Sequence, residues 1–267
     1  MLRPNPVKQA LRRGTAVYGT MLSEADSPAF VRVLASAGYD FVFIDMEHGV
    51  YSLSAVAAMI GVARLAGVAP LVRVPDLSYQ AVAQALDAGA MGLMLPRVET
   101  RAQAEAFVSY MKYPPVGVRG ASGGRGHTDY EGAGAQELVQ HMNEHTLAIL
   151  QIERRAAIER IDDLLSVPGV DAAVIGPFDL TISLGEASPD APAVAAAIQQ
   201  VVDAARRHGV ASGIHTPDAD EARRWRDRGM TLVAANSDLG FFKAGAQRTL
   251  AAMRGEGAAG AEKGEHI

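Results

Sequence analysis

The stretch VFIDMEHGVY, residues 42–51, places Asp45, Glu47 and His48 directly behind the apolar run Phe41-Val42-Phe43-Ile44. Two carboxylates and an imidazole within four residues are the groups that proton transfer near neutral pH requires. Other apolar runs close in the same way. Arg73 lies within PLVRV, Arg97 follows GLMLP, Gln151 and Glu153 close AILQIE, Asp179 lies in IGPFDL, His215 ends GIH and Asn236 ends LVAAN. Burying an arginine or a glutamate is costly without a partner, so several such residues at the ends of apolar runs suggest a shared site. Glu153 and Asp179 offer two hard oxygen ligands. With no cysteine in the chain, that donor set favours Mg²⁺ or Mn²⁺, with Co²⁺ a third choice, and water and substrate in the remaining positions. Arg73 suits a carboxylate or a developing enolate oxygen, and His48 suits a general base. The turn in IGPFDL leads into a helix and offers backbone N–H groups to an anion. Together these groups describe a site for enolising a small 2-oxo acid. Each also has a structural reading. Asp45 can cap a helix, Glu47 can be solvated, Arg73 can pair with a carboxylate only to support the fold, and His215 can be an ordinary polar residue.

These residues converge only if the runs that carry them lie side by side. Eight candidate strands fall at 16–22, 41–45, 70–74, 92–96, 148–153, 172–176, 211–216 and 232–236. Helical spacing fills 26–37, 53–66, 78–88, 99–111, 154–166, 192–208, 217–228 and 238–253. Ser27-Pro28 and Thr216-Pro217 have the form of an N-cap followed by N1 proline, and Gly38, Gly89, Gly209 and Gly229 stand where helix C-termini belong. Eight strand–helix units over about 250 residues predict a single-domain closed (β/α)₈ barrel of the TIM type. The rival is a doubly wound open sheet. The turn after the first strand reads LSEADS, without the glycines of a dinucleotide-binding fold. In a barrel, the C-terminal strand ends gather at one mouth, where barrel enzymes carry out their chemistry.

The chain has 267 residues, a net charge of -5 and a pI near 5.8. No basic excess points to a nucleic acid or an anionic membrane. The absence of cysteine excludes disulfides, thiolate chemistry and cysteine-ligated metal. No apolar run approaches the roughly 18 residues of a membrane span, and the N-terminus lacks the apolar core of a signal peptide, so a cytoplasmic enzyme is expected. The barrel is expected over 1–253 and a disordered tail over 254–267. The glycine-rich segment 112–135, with Arg119, Arg125 and His127, is too long for a plain connection and is expected to cover the substrate pocket.

The motifs FVFIDMEHG (41–49), PLVRVP (70–75), ALDAGAMGLMLPRVET (85–100), YPPVGVRG (113–120), LQIE (150–153) and GVDAAVIGPFDLTISLG (169–185) occur in this order. Together they resemble the HpcH/HpaI aldolases, metal-dependent pyruvate aldolases related to the citrate lyase β subunit. The resemblance runs from about residue 5 to residue 250. It implies a phosphoenolpyruvate/pyruvate-type barrel that reversibly cleaves a 4-hydroxy-2-oxo acid into pyruvate and an aldehyde. In that scheme His48 is the proton acceptor, Arg73 stabilises the enolate, and Asp87 raises the basicity of the histidine. Glu153 and Asp179 are the metal ligands. Gln151, Gly176, Pro177, Phe178 and Asp179 fall at the 2-oxo acid. A homo-oligomer is implied, a hexamer built as a dimer of trimers with exchanged C-terminal helices. No lysine ends a candidate strand, which agrees with a reaction that needs no imine. The alternative is a CoA-ester lyase like the citrate lyase β subunit, although no clear basic cluster awaits the adenosine phosphates.

Overall fold

The computed structural model describes residues 2–256, so most of the segment expected to be a disordered tail, 257–267, lies outside the described residues. The chain runs α1 (Pro6–Arg12), β1 (Val17–Leu22), α2 (Ala29–Ser36), β2 (Phe41–Asp45), α3 (Leu53–Ala66), β3 (Ala69–Arg73), α4 (Tyr79–Asp87), β4 (Gly92–Leu95), α5 (Arg101–Met111) and α6 (Ala135–His145). It continues through β5 (Leu147–Ile152), α7 (Arg155–Glu159), α8 (Ile161–Leu165), β6 (Ala172–Ile175), α9 (Pro177–Leu184), α10 (Pro192–His208), β7 (Ala211–Thr216), α11 (Ala219–Asp227), β8 (Leu232–Ser237) and α12 (Asp238–Met253). The eight strands are all parallel and close in sequence order, β8 pairing with β1. This is the expected (β/α)₈ barrel.

Side chains alternate across each strand, so one parity of residues fills the lumen and the other packs under the helices. The lumen holds Phe41 and Phe43 of β2, Ala69 and Leu71 of β3, Leu147 and Ile149 of β5, Ala172 and Val174 of β6, and Leu232 and Ala234 of β8. The other parity, with Val42, Ile44, Val72, Leu150 and Ile175, joins the apolar faces of the helices in a larger outer core. Two residues beyond the last apolar lumen position stand Asp45, Arg73, Gln151, Gly176 and Asn236. The barrel is therefore an apolar plug topped by a polar layer.

Local signals fix the helix ends. Ser52 and Ser78 accept the backbone N–H of Ala55 and Ala81, and Thr100 with Gln103 forms a reciprocal capping box. Gly38, Gly89, Gly209 and Gly229 all take positive φ at helix ends, as expected. The proline pairs do not cap. α2 begins after Pro28, and Asp218, not Thr216, caps α11. The expected helix at 154–166 is broken at Arg160 into α7 and α8.

Two further helices were not expected. α1 closes the floor of the barrel, with Val7 and Ala10 packed against the lumen core. Beneath them the buried Lys8 ammonium donates to the Thr146 carbonyl at 2.9 Å and pairs with Asp171 at 2.8 Å. The buried Lys112 ammonium shares the Thr146 carbonyl, also at 2.9 Å. α6 follows the long segment after α5. That segment is a helix-to-strand connection and lies at the end where strands begin. Gly126 abuts the Ala88 and Asp87 carbonyls at the end of α4, and Arg64 at the end of α3 holds Asp129 at 2.8 Å. Within one chain, residues 112–135 are thus at the floor and do not cover the mouth. Among the described residues no helix is long and apolar enough to cross a membrane.

Burial, followed by the charge of Lys8, lowers the Lys112 pKa to about 7. The unfolded chain therefore binds more protons between about pH 7 and 10, and unfolding free energy rises with pH across that window. Urea unfolding at pH 7, 8 and 9 measures this slope, and Lys112→Met is expected to flatten it.

Candidate active site

The polar layer is organised by Arg73 at the end of β3. Its Nε donates to Asp45 Oδ1 at 2.8 Å and its Nη2 to Asp45 Oδ2 at 2.6 Å, a bidentate clamp from the neighbouring strand. Both side chains are buried. Burial opposes both charges, but the mutual pairing prevails, holding the Asp45 carboxyl below and the Arg73 guanidinium above their ordinary pKa values. The third nitrogen, Nη1, faces inward, 3.4 Å from Gln151 Oε1 and 3.3 Å from Glu47 Oε2. Asp45 also accepts the Glu47 backbone N–H at 2.9 Å, which fixes the turn carrying Glu47 and His48.

Glu47 is not solvated. Its Oε1 meets Arg97 Nε at 3.1 Å, while its buried Oε2 makes no aligned hydrogen bond. Arg97 adopts φ 53°, a left-handed conformation that costs an L-residue about 1–2 kcal/mol. That conformation aims its backbone N–H at Glu153 Oε1, 2.7 Å away. Glu153 Oε2 accepts from the Gln151 amide. Gly176 stands beside both, and a Cβ there would lie 3.0 Å from Gln151 Nε2 and 3.1 Å from Glu153 Oε2. Pro177 is the first residue of α9. Phe178 and Asp179 follow, exposed, in its first turn, where N–H groups have no helical acceptor and a carboxylate is favoured.

Glu153 lies among more negative than positive charge: Asp179 and Glu47 oppose its ionisation, and Arg73 favours it. Burial first, then the charges of Asp179 and Glu47, raise the Glu153 carboxyl to about 7. A dication would relieve that excess. Glu153 and Asp179 are hard oxygen donors with room around Gly176, so the residues present fit Mg²⁺ or Mn²⁺. Among the described residues no group of three or more His, Asp or Glu is placed to hold a metal ion, so a cation here would have Glu153 and Asp179 as its protein ligands.

His48 projects from the β2–α3 turn, largely exposed, with Nε2 3.9 Å from Glu47 Oε2. Asp87 is not brought to it. Asp87 ends α4 at the floor, about 13 Å of helix away from the mouth, bonded to the buried Arg119 at 2.7 Å with His127 at 3.9 Å. The layer also includes His215, whose Nε2 lies 3.0 Å from the Asn236 carbonyl. Sequence reading placed His215 and Asn236 at strand ends but missed their pairing, and it missed the Glu47–Arg97 link. Only the parity of His215 with Gly213 and Ala211 on β7 signalled that it points inward.

The model of the HpcH/HpaI aldolase/citrate lyase family matches residues 20–244. The chain belongs to this family. A hydroxypyruvate/pyruvate aldolase of Roseovarius nubinhibens is 35% identical over 94% of this chain and 97% of its own. A 5-keto-4-deoxy-D-glucarate aldolase of Shigella sonnei is 34% identical over 92% and 95%. The crystal structure of an HpcH/HpaI aldolase from Desulfitobacterium hafniense superposes with a TM-score of 0.90 at 33% identity, covering 94% of this chain and 97% of that one. As an HpcH/HpaI protein, the chain is an enzyme of the aldolase class, a carbon–carbon lyase acting on small molecules.

Truncating one partner of a buried ion pair strands the other charge. Asp45→Ala is expected to lower stability by about 3–5 kcal/mol in urea unfolding. Asp45→Leu combined with Arg73→Met is expected to recover most of that loss.

Proposed function

We propose that this enzyme is a divalent-metal pyruvate aldolase. It cleaves a 4-hydroxy-2-oxo acid to pyruvate, or a close 2-oxo acid, and an aldehyde, and it also runs the reverse addition. The observation that carries this reading is the shortage of positive charge around Glu153, whose carboxyl is raised by burial and by Asp179 and Glu47, beside an arginine held in place by Asp45. Mg²⁺ or Mn²⁺ on Glu153 and Asp179 would supply Lewis-acid polarisation of the 2-oxo acid. The Gln151 amide and the backbone N–H groups of Phe178 and Asp179, in the turn that follows Gly176-Pro177, orient the acid's oxygens. Arg73, locked by Asp45 and therefore needing no rearrangement, presents Nη1 to the oxygen that gains charge as the enolate forms. His48 takes the methyl proton, and in cleavage it takes the proton of the 4-hydroxyl.

Asp87 supports His48 in this scheme only from a second copy of the chain, because its own barrel separates the two residues. A surface for that copy exists. Along α12, Phe242 is 72% exposed, Met253 78% and Leu239 52%, an apolar face that the described residues leave exposed. This face supports a homo-oligomer, in keeping with the exchanged C-terminal helices and hexamer that the resemblance implies.

The first test follows loss of the pyruvate methyl signal in D₂O by NMR with Mg²⁺. Exchange that stops with excess chelator and in Glu153→Ala is expected. Exchange that survives both would sink the metal assignment. His48→Ala is expected to slow exchange about a hundredfold or more. Co-expressed His48→Ala and Asp87→Ala chains are expected to regain activity that neither shows alone, since mixed contacts rebuild an intact pair; failure to complement would place Asp87 outside the site.

The raised Glu153 pKa adds a pH dependence. Its carboxyl holds a proton below about pH 7, and a cation must displace that proton. Apparent Mn²⁺ affinity is expected to fall about tenfold per pH unit below 7 and to level off above it, measured by titration calorimetry.

A further inference from the structure

β7 sends Ala211, Gly213 and His215 to the lumen side. Its register with β6 pairs Ile214 with Ile175, so His215 stands level with Gly176 in the polar layer. Across β8 its neighbour is Ala234, and below it on the same strand is Gly213. Neither fills the space around the ring. The imidazole is enclosed by protein on most sides yet is still reached by solvent, as a side chain lining a concave pocket is.

The protonation of this ring is determined by its partner. The Asn236 carbonyl only accepts, so Nε2 carries the hydrogen that it donates across 3.0 Å. Burial and the charge of Arg73 lower the pKa, so the ring stays neutral at physiological pH. Nδ1 is then a bare lone pair, and among the described residues no protein group donates to it.

The other neutral acceptors of the layer, Gln151 Oε1 and the Asn236 carbonyl, are already engaged by Arg73 and by His215 Nε2. Arg73 and the α9 turn donate to anionic oxygen, and Glu153 and Asp179 suit a cation. Nδ1 matches neither a carboxylate nor a carbonyl oxygen, because those are acceptors too. It matches an O–H. Pyruvate has none, so the matching donor belongs to the other reactant. We propose that His215 is the specificity residue of the aldehyde subsite, its Nδ1 accepting a hydrogen bond from a hydroxyl on the aldehyde. The substrate class is thereby narrowed to hydroxyaldehydes. This rests on the aldolase reading above.

The test compares glycolaldehyde with propanal, which differ by a hydroxyl in place of a methyl group, as acceptors for pyruvate with Mg²⁺. kcat/KM is measured for each in the wild type, His215→Leu and His215→Asn, with melting temperatures recorded for all three. The wild type is expected to prefer glycolaldehyde. In His215→Leu that preference is expected to fall about tenfold, the size of one lost neutral hydrogen bond, because kcat/KM falls more for glycolaldehyde than for propanal. His215→Asn, with an amide oxygen near the position of Nδ1, is expected to keep part of the preference. A ratio unchanged in both variants overturns the inference, as does an equal fall for both aldehydes, which marks a structural role. A wild type that exchanges the pyruvate methyl hydrogens in D₂O but does not favour glycolaldehyde overturns it while leaving the aldolase reading intact. A wild type that neither exchanges nor condenses overturns both.

Discussion

The mouth of this barrel depends on the clamp between Arg73 and Asp45. Two adjacent parallel strands each end in a charge that cannot be buried alone. Their register sets those charges opposite each other, so two parallel hydrogen bonds form without any loop having to be ordered. The clamp uses two of the three guanidinium nitrogens and both carboxylate oxygens. The third nitrogen, Nη1, is held facing Gln151 Oε1 and Glu47 Oε2 above an apolar plug of Phe41, Phe43, Leu71 and Ile149. A donor held in place before substrate arrives is worth more to a developing oxyanion than one that must be collected from solution.

Around that fixed cation the lumen is short of positive charge. Glu47 lies between two arginines, its Oε2 3.3 Å from Arg73 Nη1 without an aligned hydrogen bond, and Glu153 is pushed up to about 7 by burial and its acidic neighbours. A site built only for stability would not keep this imbalance, because unpaired buried carboxylates are among the costlier features a core can hold. The strained Arg97 backbone belongs to the same arrangement. Its left-handed φ is the means by which a backbone N–H reaches Glu153, leaving the other oxygen to Gln151 and the space beside Gly176.

The two ends of the barrel divide the labour. The floor holds Lys8, Lys112 and the Arg64–Asp129 and Arg119–Asp87 pairs, tied into the long connection that precedes α6. The mouth holds the groups suited to chemistry. Asp87 is the exception, a residue linked to His48 by family resemblance but located at the floor. The geometry of a βαβ unit makes this unavoidable within one chain, since a helix C-terminus always returns to the strand-start end. Only a second molecule can join the two, and the uncovered apolar face of α12 supports one.

Much of this protein was legible in its sequence. Eight strand–helix alternations specify a closed barrel, because each unit must bury one sheet face and one helix stripe. The polar residues that close the apolar runs, Asp45, Arg73, Gln151 and His215 among them, were legible as strand ends that a barrel gathers at one mouth. Helix ends governed by glycine were legible for the same local reason. What the tertiary structure decided were the pairings through space. Arg73 meets Asp45 across 28 residues and Gln151 across 78, and local periodicity carries no information about which of several carboxylates a given arginine will meet. The same holds for Glu47, which reads as a surface residue until Arg97 folds back over it, and for segment 112–135, whose composition suggests a lid while its topology puts it at the floor. The chain's alternation of polar and apolar residues fixed which groups are buried, and closure of the barrel fixed the partners they are buried with.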